Sequence, residues 1–227
     1  MIIYGKQVCL HALQKHEAKI KTVYIAKKGI LPQNLFEANR DRIKFLEERW
    51  AQKMAKGGNH QGILLEMEPL EHSDLNTLKK EHFILVLDGL TDTGNIGAII
   101  RSAYALGVDG IVATGVKNLH IPALVRTSSG ALLDMPFTII PNILDVLNEL
   151  KQVDFTIYGA SAEGEVVDRC QFSQKRVLVL GSEGEGLSKR AKSKIDTMVS
   201  IEMKHAFDSL NVSAAAAILI DRMKNVI

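Results

Sequence analysis

Apolar positions along the 227-residue chain fall into short runs, separated by stretches with helical spacing. Residues 2–4 read as a strand, and residues 7–13 carry helical spacing through Val8, Leu10, Ala12 and Leu13. Residues 23–26 read as a second strand. Residues 34–54 read as one amphipathic helix with Lys, Arg and Glu on its polar face, ended by Gly57-Gly58-Asn59. Residues 62–67 then read as a third strand. Pro69, His72 and several charges follow, and this polar stretch predicts a linker over residues 69–81. From Phe83 the texture changes. Phe83-Ile84-Leu85-Val86-Leu87 is a continuous apolar run, as expected of a strand buried on both faces. Similar runs recur at 110–113, 137–140, 156–160, 177–180 and 198–201, with helical patterns at 95–106, 143–150, 188–194 and 209–223. Strands alternating with helices predict a parallel sheet covered by helices. The expected fold class is therefore α/β: a small N-terminal α/β domain (1–68), the linker (69–81) and a C-terminal parallel-sheet α/β domain (82–227).

Composition narrows the function classes. With 46% hydrophobic and 24% charged residues, the chain has the makeup of a globular protein. Cys9 and Cys170 lie far apart and outside any CxxC, so neither a disulfide framework nor a cysteine-based zinc site is expected. His72, His82 and His120 lack metal-ligand spacing and read as surface residues, and no metal is expected. No apolar run approaches the roughly 18 residues needed to span a bilayer. The opening Met1-Ile2-Ile3-Tyr4-Gly5 is too short for a secretory core, so a cytoplasmic location is expected. The net charge of +2 conceals an asymmetry. Residues 1–60 hold 12 Lys and Arg against 5 Asp and Glu, whereas the remainder holds 16 against 21. A basic first quarter suggests contact with a polyanion; the blander reading is a solvated basic surface. His60 and Gln61, after the glycine turn, read as surface positions within reach of RNA.

Three strand-to-helix loops carry unusual residues where an open α/β sheet binds ligands. In residues 88–102 a Gly/Thr/Asp loop opens a helix near Asn95. Arg101 sits there among Ile99, Ile100, Ala103 and Ala105. That neighbourhood predicts a place near the buried side of the helix, where an arginine must be paired or reach a ligand. In residues 177–188 the run Gly181-Ser182-Glu183-Gly184-Glu185-Gly186 lets the backbone approach a ligand closely. It lacks a phosphate-loop lysine, and its two glutamates would repel phosphate, so a cationic or neutral ligand suits it better. In residues 201–217 a polar turn leads to Ser209, Asn211 and four consecutive alanines, a helix able to pack closely on another helix or on itself across a dimer axis. Capped helices and tight turns are the alternative explanation of all three loops.

Taken together, the loops resemble the signature segments of the SpoU branch of the SPOUT-class RNA 2′-O-methyltransferases. The segments occur in order: Asn95-Ile96-Gly97 with Arg101-Ser102-Ala103; Leu180 to Leu187; and Ile201-Glu202-Met203 followed by Ser209-Leu210-Asn211-Val212-Ser213. Tyr4-Gly5 and His60-Gln61-Gly62-Ile63 resemble the small ribosomal-protein-like RNA-binding domain that often precedes this catalytic domain. The resemblance implies a trefoil knot in the C-terminal domain, a rare exception among folds. It implies S-adenosylmethionine bound in that knot beside Gly181, Ile201 and Leu210, with Leu180, Ser182, Gly186, Met203 and Ala160 completing the cofactor set. A homodimer with RNA as substrate is implied as well. At the catalytic positions, Arg101 would activate the ribose hydroxyl, Asn95 and Asn211 would orient ribose and arginine, Glu183 would hold the site together, and Ser209 would sit near Arg101 or the phosphate. Arginine keeps its proton in proteins, so two versions stay open: a base altered by burial, or a clamp on a phosphate that itself takes the proton. The Gly-Glu-Gly-rich second motif and the N-terminal domain favour large-subunit rRNA guanosine as target over tRNA. A non-catalytic RNA-binding or ribosome-assembly protein is the reading from another class.

Overall fold

The N-terminal apolar runs pair into a four-stranded sheet in the computed structural model, which describes residues 1–182, 184–205 and 209–225. The elements are β1 (Ile2–Tyr4), α1 (Lys6–Lys15), β2 (Ile20–Ile25), α2 (Gln33–Ala38), β3 (Ile43–Phe45), α3 (Glu48–Met54) and β4 (Ile63–Met67). The sheet order is β1-β4-β2-β3, with β4 antiparallel to both neighbours and β3 parallel to β2. Helix α1 buries Val8, Cys9, Ala12 and Leu13, as its spacing predicts.

The single helix expected over 34–54 is instead two short helices around a strand. Helix α2 stops at Ala38, where the Asn39 amide donates back to the Leu35 carbonyl at 2.8 Å. The Arg42 guanidinium donates to the Glu17 and Ile20 carbonyls at 3.0 and 2.9 Å. That anchor precedes the pairing of Ile43–Phe45 with β2. Tertiary pairing of a β-branched and an aromatic residue overrides helical spacing here. His60 is also not a surface residue. It is buried, its Nδ1 accepts from the Gly62 amide at 3.1 Å, and its Nε2 lies 3.0 Å from Glu48 Oε1.

The following elements are α4 (Leu75–Leu78), β5 (Phe83–Asp88), α5 (Thr93–Leu106), β6 (Gly110–Thr114), α6 (Ile121–Thr127), β7 (Phe137–Ile139), α7 (Ile143–Lys151), β8 (Thr156–Val166), β9 (Arg176–Gly181), α8 (Lys189–Lys192), β10 (Thr197–Ser200) and α9 (Val212–Met223). The chain divides into two compact units, one of Met1–Glu71 with His120–Leu133, the other of His72–Leu119 with the residues from Asp134 on. Helix α6 thus joins the small unit, where the Arg126 guanidinium lies 5.9 Å from the Tyr4 ring centre. Part of the expected linker belongs to the large unit, because Leu75 and Leu78 are buried in its core.

The large unit holds a six-stranded, wholly parallel sheet in the order β10-β8-β9-β5-β6-β7. Every residue of β5 is buried, in keeping with its unbroken apolar run. One core cluster packs Ile84, Val86, Val177 and Val179 against Ile143, Val146, Leu147 and Leu150 of α7. Helix α5 buries Ile96, Ile99, Ile100 and Ala103, and packs on α9. From β5 the chain steps outward to β6 and β7, then crosses over so that β9 lies between β8 and β5. The C-terminal ends of β5 and β9 become neighbours, with Asp88 opposite Gly181, at the point where strand order reverses. Ligands of open parallel sheets bind at such a point.

Candidate active site

The glycine-rich loop is built by close backbone approach. After β9, the Ser182 amide donates to the Gly186 carbonyl at 3.1 Å and the Gly186 amide returns to Ser182 at 2.9 Å. The loop therefore folds back on the strand end. A Cβ at Gly181 would lie 2.1 Å from the Gly186 carbonyl carbon, so only glycine fits there. Gly184 and Gly186 take φ of 88° and 67°, in the left-handed region that glycine enters without strain. Ser188 caps α8, and its amide donates to the Asp88 carboxylate at 2.8 Å. Asp88 is buried at the end of β5 and so ties the first loop to the second. It was not among the expected site residues, although a carboxylate ending an apolar strand is a readable signal.

The first and third loops meet through two asparagines. Helix α5 opens at Thr93, capped by Asp92, whose Oδ1 accepts from the Asn95 amide at 2.7 Å. Asn211 caps α9 through Ser213 and donates its amide to Asn95 Oδ1 at 3.0 Å, across 116 residues of sequence. Ser209 and Leu210 accordingly precede that helix. Asn211→Ala removes both contacts and is expected to lower stability by about 1–2 kcal/mol in urea unfolding. Asn211→Asp should recover the cap and not the link, since a carboxylate has no amide to donate.

A cavity of about 1170 Å³ opens beside these loops. All eight residues assigned to a cofactor line it: Leu180, Gly181, Ser182 and Gly186 from the second loop, Ile201 and Met203 after β10, Leu210 before α9, and Ala160 from β8. Ser209 and Asn211 line it too. One wall has no counterpart in the sequence pattern. Strand β8 pairs Gly159 with Met198 and then Glu165 with Val199, so residues 160–164 bulge out of the pairing. Bulges re-aim a strand next to active sites. The bulge is pinned by Ser200 Oγ donating to the Gly164 carbonyl at 2.8 Å, and it places Glu163 in the cavity. Among the described residues, Glu163, Glu185 and Glu202 face the cavity with Lys192 and His205, so carboxylates are in the majority. Gly-cradled backbone, apolar Leu180, Ile201 and Leu210, and this acidic excess suit a cationic or neutral small ligand; binding pockets commonly measure about 300–1,000 Å³.

Two expected residues stand differently. Arg101 lies on the exposed face of α5, not near its buried side. Ile100 and Ala103 point inward, and the 100° step between successive helical residues turns Arg101 outward. It does not line the cavity, and neither does Asn95, which is joined to the cavity wall by its hydrogen bond with Asn211. Glu183 lies outside the described residues.

The SpoU rRNA methylase family matches residues 82–221, and the family of RNA 2′-O ribose methyltransferase substrate-binding domains matches residues 2–73. The 23S rRNA (guanosine-2′-O-)-methyltransferase RlmB of Salmonella typhimurium is 28% identical over 232 residues, 96% of each chain. RlmB of Pasteurella multocida is 33% identical over 188 residues, 78% of this chain and 76% of its own. Among solved structures, the SpoU methyltransferase AviRb from Streptomyces viridochromogenes, in complex with AdoMet, aligns with a TM-score of 0.80 at 24% identity, covering 98% of this chain and 88% of that one.

Proposed function

The chain belongs to the SpoU rRNA methylase family, and from that premise we propose that it methylates a ribose 2′-hydroxyl of RNA, a guanosine of 23S rRNA, with S-adenosylmethionine as donor. One observation carries the reading: segments far apart in sequence converge on a single cavity, walled by every residue assigned to the cofactor. The RlmB relatives that align along nearly the whole chain support ribosomal RNA over tRNA. The basic N-terminal residues, matched by the substrate-binding family, support a domain that holds that RNA.

S-adenosylmethionine, when bound, supplies an electrophilic methyl on a sulfonium cation. The backbone of Gly181, Ser182 and Gly186 would hold it, with Leu180, Ile201, Leu210, Met203 and Ala160 excluding water. Glu163, Glu185 and Glu202 give the cavity the potential that favours a cation. Asn95 and Asn211, tied to each other, fix the starts of α5 and α9 and so orient the ribose. Ser209 stands beside them at the cavity wall. Arg101 lies on the exposed face of α5, which does not suit a base altered by burial and supports the phosphate clamp, since a planar guanidinium matches a phosphate in two parallel hydrogen bonds. In this role Arg101 seats the phosphate next to the reacting hydroxyl and the phosphate accepts the proton. Glu183 keeps its assigned supporting role.

The same reading includes the trefoil knot, with the last helix, roughly residues 209–223, threaded through a loop. It also includes a homodimer. Tyr104 on α5 and Ile218 on α9 are exposed on two helices that pack together, and Ala105 and Ala214 beside them would let a second copy approach closely. No helix among the described residues is long and apolar enough to cross a membrane, and the reading assigns the protein to the cytoplasm. Incubation with methyl-labelled cofactor and unmodified 23S rRNA tests it. Ribose-linked label is expected; RNA binding with no affinity for the cofactor would favour a non-catalytic assembly protein.

A further inference from the structure

The small unit carries an inverted helix. Helix α3 seats itself through Ala51, Ala55 and the half-buried Met54, against Leu64, Ile2, Tyr4 and Tyr24. Its largest side chain, Trp50, points away and is 48% exposed. Phe45, at the end of edge strand β3 and just across the turn into α3, is 61% exposed. About half or more of each side chain is left outside the packing of this unit, although large aromatics are costly to leave in water.

The charges around the rings say what partner they suit. Residues 40–56 hold six Lys and Arg against three Asp and Glu. Two of those acids are engaged, Glu48 with His60 and Glu47 with Arg49 at 2.9 Å. The Arg49 guanidinium lies 5.5 Å from the centre of the Trp50 ring and the Lys53 ammonium 5.3 Å from it. Lys44 is exposed next to Phe45. Flat rings interleaved with cations match a nucleic-acid strand, whose bases stack on aromatics while its phosphates meet Lys and Arg. In a duplex the base faces are hidden in the stack, so only unpaired bases can use such a ring.

We propose that Phe45 and Trp50 form a stacking platform for unpaired bases of the RNA substrate, with Lys44, Arg49 and Lys53 on the flanking phosphates. The element recognised by the small unit is therefore a loop or single strand, not a helix. This inference rests on the RNA-methyltransferase reading for the identity of the partner and goes beyond it in naming the surface and the RNA form.

Trp50 is the only tryptophan, so its fluorescence reports on the platform directly. The full-length protein, without cofactor, would be titrated with a short oligouridylate and with a blunt RNA duplex of equal length. Quenching by the single strand and none by the duplex is expected. By anisotropy of labelled oligouridylate, Trp50→Ala and Phe45→Ala should each weaken binding about tenfold, and Trp50→Phe should retain most of it. Unchanged affinity in both alanine variants, or quenching by the duplex alone, overturns the proposal. Circular dichroism and cofactor affinity of the same variants identify any that misfold, and Trp50→Phe then decides the matter through its retained binding. Failure of the parent reading looks different: a protein that quenches with single strands yet transfers no methyl keeps the platform and loses the enzyme.

Discussion

Replacing Arg101 with alanine is expected to slow methyl transfer at least about a hundredfold, the usual contribution of a group that assists proton removal or stabilises developing charge. Affinity for S-adenosylmethionine should not change, because Arg101 does not line the cavity. Stability should change little, since the side chain is exposed. The combination is diagnostic: single-turnover rate falls, calorimetric cofactor affinity and unfolding midpoint hold. Arg101→Lys separates the two roles left open above. A lysine keeps the charge but loses the planar fork, so a phosphate clamp should recover only in part. A variant with most of its activity would remove Arg101 from the mechanism.

The second large effect is predicted at Gly181, and it strikes binding instead of chemistry. A methyl group there would overlap the Gly186 backbone, which has no side chain to move aside. The loop must open to admit it, and overpacking of this kind costs about 1–3 kcal/mol. Since the loop forms one wall of the cavity, Gly181→Val is expected to weaken cofactor affinity about a hundredfold, with loss of transfer following from it. Gly107→Ala is the matched control. Gly107 has a left-handed φ of 83°, unlike Gly181, but no atom lies near its missing Cβ, and it caps α5 at the end away from the cavity. It should show backbone strain of about 1–2 kcal/mol with normal cofactor affinity. Equal loss of affinity in both variants would mean that the cavity depends on global stability and not on the Gly181 contact.

Much of this site can be read from the chain because its parts are local. Apolar runs such as Phe83–Leu87 lie in strands, and the glycines of 181–186 mark a turn that only glycine can make. Those features depend on neighbours in sequence. The misreadings arise where distant partners decide. Residues 34–54 have helical spacing, but Ile43–Phe45 pairs with β2 once Arg42 is anchored on Glu17 and Ile20. Leu75 and Leu78 sit in a polar stretch and are nonetheless core residues. Arg101 has apolar neighbours in sequence, yet one helical step carries it from the buried face to the exposed one. The bulge at 160–164, with Glu163, exists only because β8 pairs with β10 on both sides of it. Likewise the link between Asn95 and Asn211 is visible only after folding, although both residues could be nominated from their motifs.

The most direct test is one competition reaction. Full-length protein, methyl-labelled S-adenosylmethionine, unmodified 23S rRNA and unmodified tRNA are combined, and the 2′-O-methyl positions are mapped at nucleotide level. The account predicts label at a guanosine ribose of 23S rRNA and none in tRNA. Label confined to tRNA, or no label in a protein that binds the cofactor and both RNAs, would contradict it.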